Sequence, residues 1–406
     1  MKKLLLAASA AALLAGAAVA QEAEATGESA AAGDGVNIGI ILGFTGPLES
    51  ITPFMAQAAE LAIEEVGSAG TFLGGTPVTS ERADSTCVDA AAATAAAEGL
   101  VTAGIDAIMG ADCSGVTGAI LTNVAVPNGI GMISPSATSP GLTTAEDGGL
   151  FFRTAPSDAR QGEIIAAILG DRGVTDIALT YTNNDYGKGL ADAITSAFTA
   201  TGGTVSITVP HEDGKADYSA EVASLAASGS DVLVVAGYTD QGGRGIIQNA
   251  LDTGAFEQFV LPDGMIGQDI VDNLGDGLAS SWGVKPGSEG ENVTRFQEIA
   301  QAAGFDGSSV YAPESYDAAA LMLLAMQAAN STATADWTAR VMDVANAPGE
   351  PILPGELAKG LELLAAGTDI DYVGASSVEL VEPGESAGTY SELEFRDGQI
   401  ETIGIR

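Results

Sequence analysis

The chain has 406 residues and carries 15 Lys and Arg against 54 Asp and Glu, which gives a formal net charge of −39 at pH 7. A chain this acidic is not expected to bind nucleic acid or an anionic membrane surface, because both are negatively charged. Its length exceeds what one hydrophobic core usually organises, so two domains are predicted.

The N-terminus has the pattern of a secretory signal peptide, which we place at residues 1–20. Lys2 and Lys3 precede an apolar run, and the small residues Ala18 and Ala20 frame a cleavage site. Residues 21–35 are rich in Ala, Gly and Glu and are expected to form a disordered lead-in. No later run of about eighteen apolar residues predicts a membrane span. We therefore expect a secreted protein located in the periplasm.

The part of the chain after the lead-in begins with an alternation of strands and helices. The predicted elements are strand 36–44, helix 53–66, strand 77–84, helix 89–102 with Asp89 as its N-cap, strand 105–109, helix 116–126, strand 130–133 and strand 150–154. Such an alternation predicts a parallel sheet covered by helices.

A second array of the same kind follows. Its predicted strands are 176–181, 203–209, 231–237 and 258–262, and its helices are 187–200, 218–227 and 241–252. After an apolar run at 278–284, helices are predicted at 292–303, 312–330, 333–345 and 355–365, and strands at 390–395 and 399–405. Periodicity does not assign these late elements to either array.

Two loops between residues 105 and 140 are the first candidates for a binding site. Residues 110–115 follow one predicted strand, and residues 134–139 follow the next. In a parallel sheet both loops would lie beyond the carboxyl ends of the strands, where ligands bind. Their hydroxyls and free backbone N–H groups suit a carboxylate. Residues 134–139 taken alone are also compatible with a simple turn.

Polar and aromatic residues also follow strands of the second array. Tyr186 and Tyr238 could line an apolar wall of the same crevice, or could be surface tyrosines at helix starts. Asp263 could receive an ammonium group, or could be a turn residue before Gly264.

The chain has two cysteines, Cys87 and Cys113. An oxidising compartment would permit a disulfide between them, the alternative being two buried thiols. In the chain-entropy account such a bridge contributes roughly 3–4 kcal/mol of stability. Because Cys113 lies in the first candidate loop, the bridge would also stiffen that loop.

Familiar catalytic motifs are missing from the sequence. His211 is the only histidine, so a Ser–His–Asp triad would depend on it and a zinc site built on His and Cys is nearly excluded. The chain has no nucleophile elbow, dinucleotide fingerprint or phosphate-cradling loop. A calcium site of oxygen ligands and an enzyme using carboxylates remain open alternatives. The pattern favours a binding protein, for which we expect no cofactor and no metal.

The chain resembles the periplasmic leucine/isoleucine/valine-binding proteins of ABC importers, which have the type I periplasmic binding protein fold. The resemblance runs from about Val36 to the C-terminus and rests on residues 43–47 (GFTGP), the two cysteines, residues 134–140 (SPSATSP), residues 184–187 (NDYG), Gly237 and Tyr238. It implies an α/β fold of two Rossmann-like lobes with parallel central sheets, joined by three crossovers near 153–156, 284–287 and 383–390. Lobe 1 would comprise 36–153 and 287–383, and lobe 2 would comprise 154–286 and 384–406.

The resemblance also implies roles for single residues. Ser114 and Thr138 would hold the α-carboxylate of an amino acid by hydroxyl and backbone N–H, and Asp263 would take its α-ammonium group. The remaining implied site residues are Cys113, Ser136 and Ala137 at the carboxylate end and Tyr186, Tyr238 and Tyr311 around the pocket, and the implied disulfide is Cys87–Cys113.

Three positions depart from the family pattern. Asp112 stands where leucine binders have an apolar pocket residue, so it is counted among the ligand-binding residues. Ile51 stands near an expected aromatic residue, and Asp263 is one methylene shorter than the usual Glu. These departures leave open a polar or cationic side chain on the ligand, or a ligand that is not an amino acid.

The sequence therefore predicts the solute-binding component of an ABC importer, a monomer that binds a small amino acid, branched-chain or related, and delivers it to an inner-membrane permease. The main alternative is a ligand-sensing module that delivers to a receptor or regulator. Binding of a carboxylate or amide that is not an amino acid is a further alternative.

Overall fold

The computed structural model describes residues 35–406, so the predicted signal peptide and all of the lead-in except Gly35 lie outside the described residues. The strands are β1 (Val36–Leu42), β2 (Val78–Asp84), β3 (Ala107–Gly110), β4 (Gly131–Ser134), β5 (Phe151–Pro156), β6 (Asp176–Thr182), β7 (Thr204–His211), β8 (Val232–Ala236), β9 (Gln258–Leu261), β10 (Trp282–Pro286), β11 (Glu350–Ile352), β12 (Ile370–Tyr372), β13 (Leu380–Val381), β14 (Glu385–Ser386), β15 (Tyr390–Arg396) and β16 (Gln399–Ile405).

Helices alternate with these strands along most of the chain. They are α1 (Thr52–Ala69), α2 (Ala90–Ala103), α3 (Ser114–Ile120), α4 (Val126–Asn128), α5 (Asp158–Asp171), α6 (Asp185–Ala200), α7 (Ser219–Ala226), α8 (Gly242–Thr253), α9 (Gln268–Leu274), α10 (Glu291–Ala303), α11 (Ala312–Ala329), α12 (Thr334–Thr338), α13 (Val341–Ala345) and α14 (Leu357–Ala365). A π-helical segment, Leu121–Ala125, joins α3 to α4. None of the helices formed by residues 35–406 combines the length and the hydropathy of a membrane span.

Two seven-stranded sheets organise the molecule, which confirms the predicted pair of α/β lobes. The first has the order β13-β14-β5-β4-β3-β1-β2, and the second has the order β16-β15-β10-β9-β8-β6-β7. The central strands of both pair in parallel, and antiparallel strands complete one edge of each sheet. Strands β3, β4 and β8 are buried along their whole length, as a sheet with helices on both faces requires.

The chain passes between the sheets three times, after β5, after β10 and between β14 and β15. The strands of the first sheet extend to Pro156 and to Ser386, slightly beyond the boundaries expected at residues 153 and 383. Strand β5 continues because its residues pair with both β4 and β14.

Most predicted elements form with small shifts at their ends, and Asp89 caps α2 by accepting from the backbone N–H groups of Ala91 and Ala92. The helix predicted at 333–345 is instead two short helices, α12 and α13. A tight turn, in which Arg340 N donates to the Trp337 carbonyl oxygen, closes α12 while the Trp337 ring packs over Gly131. The short strands β11 to β14 were not predicted, because two or three residues carry too little periodicity.

Helix α11 is buried on nearly all sides and packs against α1, α14 and the first sheet. Glu314 lies in its first turn and points into the interior, with 2% of its surface exposed. Lys285 of β10 lies nearby. Burial raises the pKa of Glu314 to about 8, and the neighbouring Asp317 contributes in the same direction, whereas Lys285 lowers it. Glu314 is therefore mostly uncharged at neutral pH.

Replacing Glu314 with Gln is expected to change how stability depends on pH. Below about pH 4.5 both folded and unfolded chains hold the Glu314 proton, and between about 4.5 and 8 only the folded chain holds it. The contribution of Glu314 to stability therefore falls as pH rises, by about 1.4 kcal/mol per unit. We expect the variant to gain about 2–3 kcal/mol over the wild type between pH 5 and pH 7. Urea unfolding of both proteins at several pH values measures this difference, and parallel stability curves would contradict it.

Candidate ligand-binding site

The two loops predicted to form a cradle lie side by side, because β3 and β4 are neighbours in the first sheet. Ser134 Oγ donates to the carbonyl oxygen of Ala111 (2.6 Å). Ser136 Oγ donates to the carbonyl oxygen of Asp112 (3.0 Å), and its hydroxyl is thereby committed within the cradle. The N–H of Ala137 likewise donates to Ser134 Oγ (2.9 Å). These bonds hold the loops in one fixed shape.

Ser114 and Thr138 are the cradle residues that keep donors available. Ser114 Oγ accepts from the backbone N–H of Ser139 (3.1 Å), so its own proton is free to point elsewhere. Thr138 Oγ1 is fully buried and makes no hydrogen bond of ordinary geometry among residues 35–406, although it lies close enough to the Asp158 carboxyl group to lower the pKa of that group. Within that range the backbone N–H groups of Ser114 and Thr138 also donate to nothing. Hydroxyl and backbone N–H donors of this kind, in two adjoining buried loops, can hold a carboxylate.

Asp263 lies across the interlobe space from this cradle, just after β9, and is 1% exposed. Its Oδ1 accepts from the Tyr186 hydroxyl (2.6 Å) and from the Gly264 N–H (2.8 Å), and the Tyr311 hydroxyl donates to its other oxygen. Tyr186 stacks on Tyr238 with ring centroids 5.1 Å apart. The structure thus gathers the three predicted tyrosines around the predicted acid.

The Gly264 backbone lies so close to Gly237 and to the Tyr186 hydroxyl that no larger residue would fit there. A Cβ atom there would lie 2.6 Å from the Gly237 carbonyl oxygen and 2.7 Å from the Tyr186 hydroxyl. Tyr311 also has an unusual backbone for a bulky residue, with φ of 63° where α11 begins. Positive φ at a non-glycine residue stores strain of order 1–3 kcal/mol and is concentrated at functional sites.

Asp158 is a second buried acid next to Asp263, and its proximity to Asp263 was not predicted from the sequence. It is the first residue of α5, after the N-cap Ser157, and no local pattern distinguishes it from an ordinary acid in a first helical turn. Gln161 connects the two acids: its Nε2 donates to Asp158 Oδ1 (3.4 Å), and its Oε1 accepts from the Asp263 N–H (3.4 Å). Asp158 Oδ2 is buried without a hydrogen-bond partner in the described part of the chain.

The two neighbouring acids give this end of the site a negative electrostatic potential. Burial raises the pKa of Asp158 well above its ordinary value, and the Asp263 carboxylate raises it further. Burial also raises the pKa of Asp263, although the hydroxyls of Tyr186 and Tyr311 lower it. The nearby Arg153 guanidinium forms its ion pair with Glu385 (2.5 Å) rather than with either acid. Two buried carboxyl groups without a salt bridge favour either a proton or a cationic partner.

Asp112, expected in the pocket, lines the interlobe space with a carboxylate that is already bound. Its oxygens accept from the Gly43 N–H (2.9 Å) and from Ser85 Oγ (2.9 Å). Burial raises the pKa of Asp112, and these two donors lower it. The predicted disulfide between Cys87 and Cys113 is formed beside it, with Cα atoms 5.2 Å apart. Asp112 thus ties together the ends of β1 and β2 and the bridged loop.

Replacing Asp112 with Asn is expected to lower the free energy of unfolding by about 1–3 kcal/mol, because Gly43 N or Ser85 Oγ then faces an amide donor. The ranking of different ligands by affinity should not change. Chemical unfolding and calorimetric titration of the same ligand panel measure the two effects. Asp106→Asn is the matched control, because Asp106 accepts from the Asn37 N–H (2.8 Å) at the other end of β1. A reordered ligand panel in the Asp112 variant alone would contradict this structural role.

The two lobes are closed around the site. Asp240 N donates to the Pro47 carbonyl oxygen (3.2 Å), and Asp240 Oδ2 accepts from the Ser50 N–H (2.9 Å). The space enclosed has a volume of about 20 Å³, near that of one water molecule. It is lined by Leu48, Ile51, Asp112, Cys113, Ser114, Ser136, Tyr186, Tyr238, Asp263, Gly264 and Tyr311. An amino acid would need the lobes or the tyrosines to move before it could enter.

Over residues 35–406, one group of three metal-type side chains lies close together, namely Cys87, Asp112 and Cys113. Its sulfur atoms are bonded to each other, whereas a metal requires thiolates. This group therefore does not supply a metal site. His211 lies at the end of β7, where Nδ1 is 2.8 Å from Thr180 Oγ1, and it does not line the interlobe space.

A family model and several individual relatives match this chain over most of its length. A family model described as periplasmic binding protein matches residues 35–352. Leu/Ile/Val-binding protein homolog 1 of Brucella melitensis is 30% identical over 302 residues, which are 73% of this chain and 79% of that protein. Homolog 3 of the same organism is 32% identical over 249 residues, which are 58% of this chain and 62%, less than two thirds, of that relative. The substrate-binding protein BasB of a chemotactic signal transduction system in Halobacterium salinarum is 27% identical over 394 residues, covering 91% and 89% of the two chains.

Solved structures share the same fold. The branched-chain amino acid transporter substrate-binding protein LivJ of Streptococcus pneumoniae, in complex with isoleucine, superimposes with a TM-score of 0.76 at 20% identity, covering 92% of this chain and 99% of that one. A solute-binding protein of an ABC transporter from R. palustris, in complex with benzoate, gives 0.73 at 17% identity, with 91% and 96% covered. At these identities the likeness concerns the fold alone.

Proposed function

Because the chain belongs to the periplasmic binding protein family, we propose that it is the extracytoplasmic solute-binding component of an ABC importer. Its ligand is a small amino acid, branched-chain or related. The observation that supports this proposal is that hydrogen-bond donors on one lobe and a buried acid on the other lie on opposite sides of one interlobe space. Ser114 lines that space on the cradle side and Asp263 lines it on the other side, and Thr138 is buried in the second cradle loop next to Ser114 without lining the space itself.

The carboxylate of the amino acid binds at the cradle. The hydroxyls and backbone N–H groups of Ser114 and Thr138 donate to its two oxygens. Thr138 Oγ1 makes no hydrogen bond of ordinary geometry in the protein alone, and a well-formed bond to the ligand carboxylate contributes about 0.5–1.5 kcal/mol. This gain favours the closed conformation when the cradle is filled.

The ammonium group binds at the opposite wall. Asp263 provides a carboxyl group that lines the space, with the buried Asp158 next to it, and the stacked rings of Tyr186 and Tyr238 form an apolar surface beside Asp263. A molecule with both groups at one carbon atom connects the two lobes, because the cradle belongs to the first sheet and Asp263 follows a strand of the second.

Closure of the lobes then couples binding to transport. The ligand binds one open lobe, and rotation about the three crossings brings the second set of contacts into place. The closed form is the one that docks on an inner-membrane permease, and other subunits hydrolyse ATP. The protein itself performs no covalent chemistry in this scheme.

A thermal-shift screen tests the proposal. The protein is unfolded and refolded to strip bound ligand, then heated with amino acids, hydroxy acids and aromatic acids, because a ligand of the folded state raises the melting temperature. Leucine, isoleucine or valine should give the largest shifts, and Ser114→Ala with Thr138→Val should abolish them. A response to benzoate but to no amino acid would reject the amino-acid assignment and retain the carboxylate cradle.

A second candidate function is ligand sensing, which the similarity to BasB over 91% of this chain favours. The same closed form would then engage a receptor instead of a permease. Deletion of the gene distinguishes the two functions. Loss of uptake of the ligand supports import, whereas retained uptake with a lost chemotactic response supports sensing.

A further inference from the structure

The acids Asp158 and Asp263 are joined by contacts that leave one oxygen unused. Gln161 connects them on one side, and Asp158 Oδ2 has no hydrogen-bond partner in the region from 35 to 406 although Asp158 is fully buried. Two further buried hydroxyls without partners in that region surround the same place. Thr138 Oγ1 lies close enough to the Asp158 carboxyl group to lower its pKa by weak hydrogen bonding. Burial raises the pKa of Tyr390, the charges of Asp158 and Asp263 raise it further, and the Gln161 side chain lowers it.

The groups that face this pair are almost all neutral. Asp263 faces the hydroxyls of Tyr186 and Tyr311, which donate to it, and the amide of Gln161. Asp158 has four groups near it. They are the hydroxyls of Thr138 and Tyr390, the Gln161 amide and, more distantly, the guanidinium of Arg153. Arg153 is already paired with Glu385 (2.5 Å). No Lys, Arg or His among residues 35–406 forms a salt bridge with either acid, so a second negative charge here is uncompensated.

Asp158 also lies between the two ends of the proposed site. Its backbone N–H donates to the carbonyl oxygen of Thr138 (2.9 Å), which belongs to the carboxylate cradle. Its side chain reaches Gln161, whose other end accepts from the Asp263 N–H. A change in charge at Asp158 therefore affects both the carboxylate cradle at Thr138 and the acid Asp263.

We propose that Asp158 and Asp263 share one proton when the site is unliganded, and that the α-ammonium group of an amino acid replaces this proton. The inference rests on the proposed function. On binding, the O–H bond of the protonated carboxyl group breaks and its proton goes to solvent. The pair then carries two negative charges, one of which the ammonium neutralises, so the net charge of the two acids together with the ammonium group equals that of the singly protonated pair. The carboxylate of the ligand is bound separately by the neutral donors of the cradle.

Proton exchange distinguishes this mechanism from binding to Asp263 alone. Amino acids keep their ammonium group protonated around neutral pH, so a proton released on binding comes from the protein. Affinity should fall about tenfold for each pH unit below neutrality, because protons compete with the ligand for the pair. A hydroxy acid of the same shape carries no ammonium group and should bind without releasing a proton.

Calorimetric titration of the stripped, full-length protein with L-leucine, in buffers of different ionisation enthalpy, counts the protons. We expect about one proton released at pH 7 in the wild type and close to none in Asp158→Asn, whose affinity should also lose its pH dependence. Asp317→Asn is the matched control, since Asp317 is another buried acid but binds Tyr372 and Ser376 away from the site. This variant should release the same number of protons as the wild type.

Each outcome bears on one proposal. Leucine binding by the wild type without proton release, or release that persists in Asp158→Asn, overturns proton sharing and leaves the proposed function intact. Proton release with 2-hydroxyisocaproate also overturns it, and this arm needs no variant. Failure of every amino acid to bind at any pH rejects the proposed function instead.

Discussion

Replacing Asp263 with Ala is expected to weaken amino-acid binding by about 3–5 kcal/mol, which is roughly a hundredfold to several thousandfold in Kd. The ammonium group would be buried beside Asp158 alone, and the hydroxyls of Tyr186 and Tyr311 would lose the acceptor that orients them. Removal of one member of a buried, hydrogen-bonded charge pair carries costs of this size because the other member stays desolvated.

Calorimetric titration with leucine, isoleucine and valine measures this loss. Asp252→Ala is the control, because Asp252 lies exposed on α8, where it accepts from Gln248 (2.8 Å). Asp263→Asn separates charge from shape, since the amide keeps the size of the side chain. If affinity for all three amino acids stays within twofold in Asp263→Ala, Asp263 does not hold the ammonium group.

Replacing Arg153 with Ala is expected to lower the free energy of unfolding by about 3–5 kcal/mol. Arg153 is 1% exposed and pairs with Glu385 (2.5 Å), and it donates to the carbonyl oxygens of Ala137 (2.9 Å) and Ser139 (3.0 Å). The substitution leaves a largely buried carboxylate and two carbonyl groups of the cradle without their donor. Because the cradle loop loses its support, ligand affinity should fall as well.

Denaturant unfolding of the refolded protein measures the loss of stability. Arg160→Ala is the control, since the Arg160–Glu163 pair is exposed and such pairs contribute only about 0–1 kcal/mol. The double variant Arg153→Met, Glu385→Gln should recover part of the loss, because it removes both charges together. Equal stability losses in Arg153→Ala and Arg160→Ala would contradict the assigned role.

The sequence by itself determined the element types and the general position of the site. Apolar runs predicted the central strands of both sheets, because these strands bury both faces under helices, whereas the two-residue edge strands β13 and β14 were not predicted. The two cradle loops could be predicted since a parallel sheet brings the ends of successive strands to one edge. The resemblance to a known family added Tyr311 and gave roles to Ser114, Thr138 and Asp263, which local patterns had placed only in candidate loops.

Only the tertiary structure decided how the charges of the site are paired. Asp112 was expected among the pocket residues and lines the interlobe space, but no local pattern shows that its carboxylate accepts from Gly43 and Ser85. Asp158 lies more than a hundred positions before Asp263, and no local pattern marks it as the partner of that acid. Hydrophobic periodicity reports which face of an element is buried but not which distant side chain meets it there. In a chain with 54 acidic residues, packing of two separate sheets selects the few that meet in the interior.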